Sequence, residues 1–149
     1  MKIGICAIAL VALGTLAIPA IEISKLPAAV QKAVKEETKN ATAVKVSKET
    51  EGGKTLYEVE SKVKGRGRDL MLDSQGMVLS IEEEMALADI PPAARAGIEK
   101  LAMGGTIGKI EAVTKGKLVI YEAVITRKGM KKTEVMVNGD GSIANLVAK

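Results

Sequence analysis

The amino-acid sequence reads as an α+β chain: two tandem modules, each a helix followed by a four-stranded antiparallel sheet, behind an N-terminal export signal. Three observations carry this reading. Leu56-Tyr57-Glu58-Val59 recurs 64 residues later as Ile120-Tyr121-Glu122-Ala123, and these segments hold the only two aromatic residues of the chain. Leu26-Pro27 maps onto Ile90-Pro91 with the same shift, and Gly76 maps onto Gly141 with one residue more. Between these marks the apolar residues recur first with helical spacing and then with the alternation of strands. The expected boundaries are 1–20 for the signal, 21–84 for the first module and 85–149 for the second.

The N-terminus sets the expected address. Met1-Lys2 gives a positive start, Ile3 to Leu16 is apolar apart from Gly4, Gly14 and Thr15, and Ala17-Ile18-Pro19-Ala20 follows with small residues and a helix breaker. This is the layout of a secretory signal peptide, so the chain is expected to be periplasmic or secreted. Cleavage is expected after Ala20, with Ala17 as the rival site. An uncleaved anchor is the alternative, because the apolar run approaches the ~20 residues that span a bilayer.

In the first module, Leu26, Ala29, Val30, Ala33 and Val34 line one side of a helix that opens on Pro27. Asn40 is a fair stop. Val44 and Val46 then alternate with polar residues. Gly52-Gly53 makes a turn, and Tyr57, Val59, Ser61 and Val63 alternate with charged ones. Leu70 and Leu72 follow after Gly65 and Gly67. Leu79 and Ile81 are expected on the buried side of a fourth strand.

Glu82 to Asp89 reads as the link between modules, its three glutamates a solvated surface or helix start rather than a cation site. Ile90-Pro91-Pro92 opens the second helix, with Ala94, Ile98 and Leu101 inward and Gly97 weakening it by roughly 1 kcal/mol. Strands are expected around Ile110 and Ala112, over Leu118 to Ile125, over Lys131 to Val137, and over Ile143 to Val147. The hairpin around Arg127-Lys128-Gly129-Met130 takes the one inserted residue, as a changed turn or bulge can.

Composition narrows the function. The chain has no His, no Trp and no Phe, and its one cysteine, Cys6, lies in the apolar leader. After cleavage no thiol remains, which removes disulfides, thiolate catalysis and Cys/His zinc sites. The serines lack a G-x-S-x-G setting. No catalytic residue, cofactor or metal site is therefore expected, and no enzyme. Basic residues are scattered without aromatic partners, which argues against nucleic acid. Residues 21–84 hold 11 basic against 12 acidic residues and 85–149 hold 10 against 6, a mildly basic second half. Membrane contact is expected only through an uncleaved leader.

Aligning the two halves pairs Glu58 with Glu122, Asp69 with Glu134, and Met71 with Met136. All six are expected on the sheet face opposite the apolar side chains. Carboxylates steer a basic partner and methionine adapts to its shape, so this face is the candidate partner-binding surface. The ordinary alternative is cross-strand pairing with Lys62 and Lys132, which keeps a sheet soluble. Tyr57 and Tyr121 point toward the helices by the same alternation. Arg66 and Arg68 lie near a turn where an anion or simply water would meet them. Asp73-Ser74-Gln75-Gly76 and Asn138-Gly139-Asp140-Gly141 have the look of calcium loops but lack the closing glutamate, and Asx-Gly turns explain them.

Leu26-Pro27-Ala28-Ala29-Val30, Leu56-Tyr57-Glu58-Val59-Glu60 and Leu72-Asp73-Ser74-Gln75-Gly76-Met77-Val78-Leu79 together resemble a PepSY-like module. The whole of 25–148 resembles secreted tandem proteins of β-lactamase-inhibitor-like fold. The second half departs from the pattern at Pro92, at Gly97 and in its final turn. The resemblance implies two sheets joined into one concave surface that holds a protein partner. The expected function is an exported, non-catalytic protein-binding module, inhibitory toward an envelope or secreted enzyme. The alternative is a small-ligand or ion sensor of the envelope using Glu82 to Glu84 or the turn carboxylates.

Overall fold

The computed structural model describes residues 19–144. The expected export signal with Cys6, apart from Pro19 and Ala20, and the end of the expected last strand lie outside the described residues. None of the described helices is long and apolar enough to cross a membrane.

A short turn of 3-10 helix at Ile23–Lys25 leads into α1 (Ala28–Glu37). Four strands follow, β1 (Thr42–Glu51), β2 (Lys54–Val63), β3 (Arg66–Asp73) and β4 (Val78–Glu84). Then come α2 (Pro92–Ala102), β5 (Thr106–Lys115), β6 (Leu118–Thr126) and β7 (Thr133–Asn138). Both helices start on the residue after an X-Pro pair. Pro27 and Pro91 cap them, and their carbonyls accept the first helical N–H bonds, from Gln31 at 2.9 Å and Arg95 at 3.0 Å. A fixed φ near −65° prepares that first turn.

The architecture corrects the expected pair of helix-plus-four-strand modules. All seven strands form one antiparallel sheet in chain order, β1 to β7. β4 pairs directly with β5, Ile81 opposite Thr114 and Glu84 opposite Glu111. Two separate sheets would each have left an edge of unpaired N–H and C=O groups here, and joining them satisfies both. The three glutamates read as a link are the end of β4, placed in register by Ile81. The eighth strand is reduced, among the described residues, to a bridge between Val137 and Ile143 and a short return in which Ala144 N–H reaches Met136 O at 2.9 Å.

Both helices cover the same kind of sheet face with small apolar clusters. Under α1, Leu26, Val30 and Val34 pack on Val46, Tyr57, Val59, Leu70 and Leu72. Under α2, Ile90, Ala94, Ile98 and Ala102 pack on Ile110, Ala123, Ile125 and Val137. Each fully buried Val, Ile or Leu contributes roughly 1.5–3 kcal/mol of transfer free energy. Tyr57 lies in the first cluster and Tyr121 packs against the second. The expected inward Leu79 is instead 38% exposed. A register shift between Met71 and Leu72 puts Val78 opposite Leu72 and Ile81 opposite Leu70, and leaves Leu79 as the extra residue.

Each helix is tied to the sheet at both ends. A Cβ on Gly76 would lie 2.5 Å from the Ala29 carbonyl oxygen, and one on Gly141 would strike the Ala93 carbonyl. Only glycine lets those turns rest on the first turn of α1 and of α2. Gly97 meets Gly141 in the same way, so its cost in helix propensity is offset by close packing on the final turn. At the other ends, Arg68 donates to the Glu37 carbonyl at 3.1 Å. Arg127 donates to those of Leu101 at 2.6 Å and Ala102 at 3.1 Å. A guanidinium at a helix C-terminus satisfies carbonyls that lack helical partners and complements the dipole.

Candidate functional site

The alternation of β2, β3 and β6 sends their odd and even residues to opposite faces, and the helices cover only one face. The uncovered face is built from the residues between the core positions. Across β1 to β4 one row reads Ser47, Glu58, Met71, Ser80. The next reads Lys45, Glu60, Asp69, Glu82, and continues onto β5 and β6 as Val113 and Ile120. A third row runs Glu84, Glu111, Glu122, Met136. Glu134 stands two residues before Met136 and opposite Val124. All six sequence-derived residues thus lie on this face, but in two groups. Glu58, Asp69 and Met71 are together on β2 and β3; Glu122, Glu134 and Met136 are together on β6 and β7.

Sequence reasoning missed what lies between. Glu82, Glu111, Lys109 and Ser80 join the two groups. Glu82 was hidden in the acidic run taken as a link. Glu111 was legible from the alternation of Ile110 and Ala112, which sends it outward. Leu56, Met71, Val113 and Ile120 on the same face are all at most 9% exposed, so the face carries an apolar floor beneath its carboxylates.

Few cations reach these carboxylates. Lys45 pairs with Glu60 at 2.9 Å, and Lys109 pairs with Glu111. Glu58, Asp69, Glu82 and Glu122 form no ion pair among the described residues. Burial pushes the Glu58 carboxyl up, and repulsion from Glu49, Glu60 and Asp69 adds to it, against a 3.4 Å hydrogen bond from Ser47. Burial likewise raises Asp69 and Glu82. For Glu82 the repulsion of Glu111 and Asp69 adds; for Asp69 the nearby Lys109 ammonium works the other way. Glu122 is pushed up to about 7 by burial first, then by Glu134, Glu82 and Glu111. Burial acts against the Lys109 ammonium, but its hydrogen bond to Glu111 and the charges of Glu111, Asp69 and Glu82 outweigh it and raise its pKa.

A hollow of about 40 Å³ opens on this face, lined by Glu49, Glu58, Asp69, Leu70, Met71, Ser80 and Glu82. Among the described residues no three His, Cys, Asp or Glu side chains converge so as to hold a metal ion. The expected alternatives for the arginines resolve inside the fold. Arg66 pairs with Asp89 at 2.9 Å, and Arg68 with Glu37 at 3.0 Å and Glu83 at 3.2 Å. The two turn aspartates also serve their own turns: Asp73 accepts from Gln75 and Met77 N–H, and Asp140 from Ser142. Lys62 and Lys132, the expected cross-strand partners, form no ion pair with the six face residues.

No family model and no curated protein matches the chain. Solved structures do. A protein from Bacteroides eggerthii named as a candidate periplasmic protein superposes with a TM-score of 0.71 at 14% identity, over 80% of this chain and 86% of that one. A DUF2874 family protein from Bacteroides uniformis gives 0.69 at 20% identity, over 80% and 86%. A BLIP-like protein from Bacteroides fragilis gives 0.61 at 20% identity, over 78% and 82%. At these identities the likeness is one of fold, and the chain has the BLIP-like fold.

Proposed function

We propose that this chain is an exported, non-catalytic module that binds a protein through the uncovered face of its sheet. The observation that carries the reading is the combination of an apolar floor with half-buried carboxylates that form no ion pair among the described residues. Glu58, Asp69, Glu82 and Glu122 surround Leu56, Met71, Val113 and Ile120. A sheet face kept only for solubility pairs its charges across strands and carries no buried apolar strip. Beside the Lys45–Glu60 and Lys109–Glu111 pairs, this one sets Asp69 against Glu82 and Glu111 against Glu122, which lowers stability and prepares the surface for a basic partner.

The leader sequence and the likeness to a candidate periplasmic protein support an address outside the cytoplasm. The two similar halves support an origin by duplication of a PepSY-like unit, with 21–84 and 85–149 as its copies. The likeness to a BLIP-like protein supports an inhibitory role toward an envelope or secreted enzyme.

The test is carboxyl footprinting. The protein is labelled with a carbodiimide and an amine, alone and in an envelope extract of the producing cell. Labelling of Glu58, Asp69, Glu82, Glu122 and Glu134 falls in the extract, while that of exposed Glu36 and Glu99 on the helices is unchanged. Protection on the helices instead of the sheet overturns the reading.

A further inference from the structure

The hollow beside Met71 is more specific than the rest of the face. Its rim carries Glu49, Glu58, Asp69 and Glu82, none of which has an ion-pair partner among the described residues. Asp69 and Glu82 stand directly opposite each other on neighbouring strands. Ser80 lines the same hollow at 5% exposure, and its hydroxyl makes no hydrogen bond to the described residues. No fully buried side-chain polar atom among the described residues is left without a partner, so the Ser80 hydroxyl opens onto the hollow. On a side chain otherwise buried, that hydroxyl is free to bond a polar group entering from the hollow.

Size and charge identify that group. A hollow of about 40 Å³ exceeds the ~10–15 Å³ that a single water needs, so it admits a small polar group. Among the described residues no three carboxylates converge as a metal site would need, so the ring of charges suits a cation that brings its own hydrogen-bond donors. The fitting occupant is a compact cation with several donors on an apolar stem. Met71 and the Leu70 backbone would pack against the stem.

We propose that the hollow between β1 and β4 receives the ammonium group of a lysine side chain on the partner protein. The ammonium's three donors are shared among Asp69, Glu82 and the Ser80 hydroxyl, with Glu58 and Glu49 at the mouth. This rests on the docking-face reading above and names the chemistry of its central contact.

The test uses three capped tripeptides, acetyl-Ala-Lys-Ala-amide and its arginine and norleucine counterparts, added to the isotope-labelled protein at low ionic strength. The lysine peptide shifts the Met71 methyl and the Ser80 amide resonances and saturates in the millimolar range, and the norleucine peptide does not. The Asp69→Asn/Glu82→Gln variant weakens the lysine peptide at least tenfold. Equal shifts from norleucine, or an unchanged affinity in the variant, overturn the proposal. Tighter binding of the arginine peptide overturns the assignment to lysine. Shifts confined to the Glu122 and Met136 end overturn the hollow and leave the docking face standing, whereas footprinting without sheet protection overturns both.

Discussion

Asp69 and Glu82 face each other directly across β3 and β4, and among the described residues no basic side chain forms an ion pair with either. Lys109 lies close enough to favour both charges, yet its ammonium is taken by Glu111. Like charges directly opposite on a sheet are destabilising, by amounts comparable to the roughly 0.2–1 kcal/mol that favourable pairs contribute. The protein therefore keeps an arrangement that its folding alone does not favour. Such sites are where removal of a side chain raises stability.

Asp69→Asn is expected to stabilise the fold by about 0.5–1 kcal/mol at neutral pH. Urea unfolding of the variant beside the parent measures it through the shift in midpoint at constant slope. A loss of stability would show that Asp69 holds the sheet together and is not a reserved charge.

Glu122 gives the pH dependence. Its folded pKa, about 7, lies above its ordinary value of 4.5. Between those values the folded state binds more protons than the unfolded one, so stability falls as pH rises through this window and recovers as pH is lowered. The groups facing Glu122 are Glu134, Glu82, Glu111 and Lys109, and the three carboxylates act in the same sense. Allowing for the screening of a half-buried group, the gain from above pH 7 down to pH 4.5 is on the order of 1–2 kcal/mol. Urea unfolding across pH 4.5–8 measures the slope, and Glu122→Gln flattens it.

The turn glycines divide into two kinds. Gly76→Ala is expected to cost more than about 2 kcal/mol, because its Cβ would collide with the Ala29 carbonyl at a φ of +78°. Gly53→Ala, with the same φ and open space around it, costs about 1 kcal/mol. Paired thermal or urea unfolding separates the contact from the backbone conformation.

Arg68 is 14% exposed at its side chain and holds Glu37, Glu83 and the Glu37 carbonyl together. Arg68→Met is expected to cost about 1–3 kcal/mol, and Arg68→Lys to recover only part of it, because an ammonium cannot match the planar fork. Urea unfolding of the two variants decides it. Equal stability of Lys and Arg at this position would reduce the role of Arg68 to its charge.

Much of this was legible in the chain. Helical spacing from Leu26 to Val34 and alternation from Tyr57 to Val63 depend on one burial pattern each, and such patterns survive in sequence. The same alternation placed Glu58, Asp69 and Met71 outward with Glu122, Glu134 and Met136. What failed were the long-range and compensated features. Nothing in Glu82-Glu83-Glu84 announces a strand, because Glu83 lies on the helix side and there pairs with Arg68, fifteen positions earlier and one strand away. The fourth strand expected around Leu79 and Ile81 therefore stops short of most of the residues that pair with β5, and only the family resemblance implies joined sheets. Alternation alone assigns Leu79 to the buried side, because a bulge shifts the phase without changing composition.

The measurement that bears most directly on the central claim is a comparison of captured proteins. The parent chain, a Glu58→Lys/Glu122→Lys variant and a Lys32→Glu/Lys35→Glu variant on α1 are immobilised in parallel and exposed to the same envelope extract at physiological salt. The expected result is a protein retained by the parent and by the α1 variant and lost from the sheet variant. The same protein held by the sheet variant and lost from the α1 variant would contradict it.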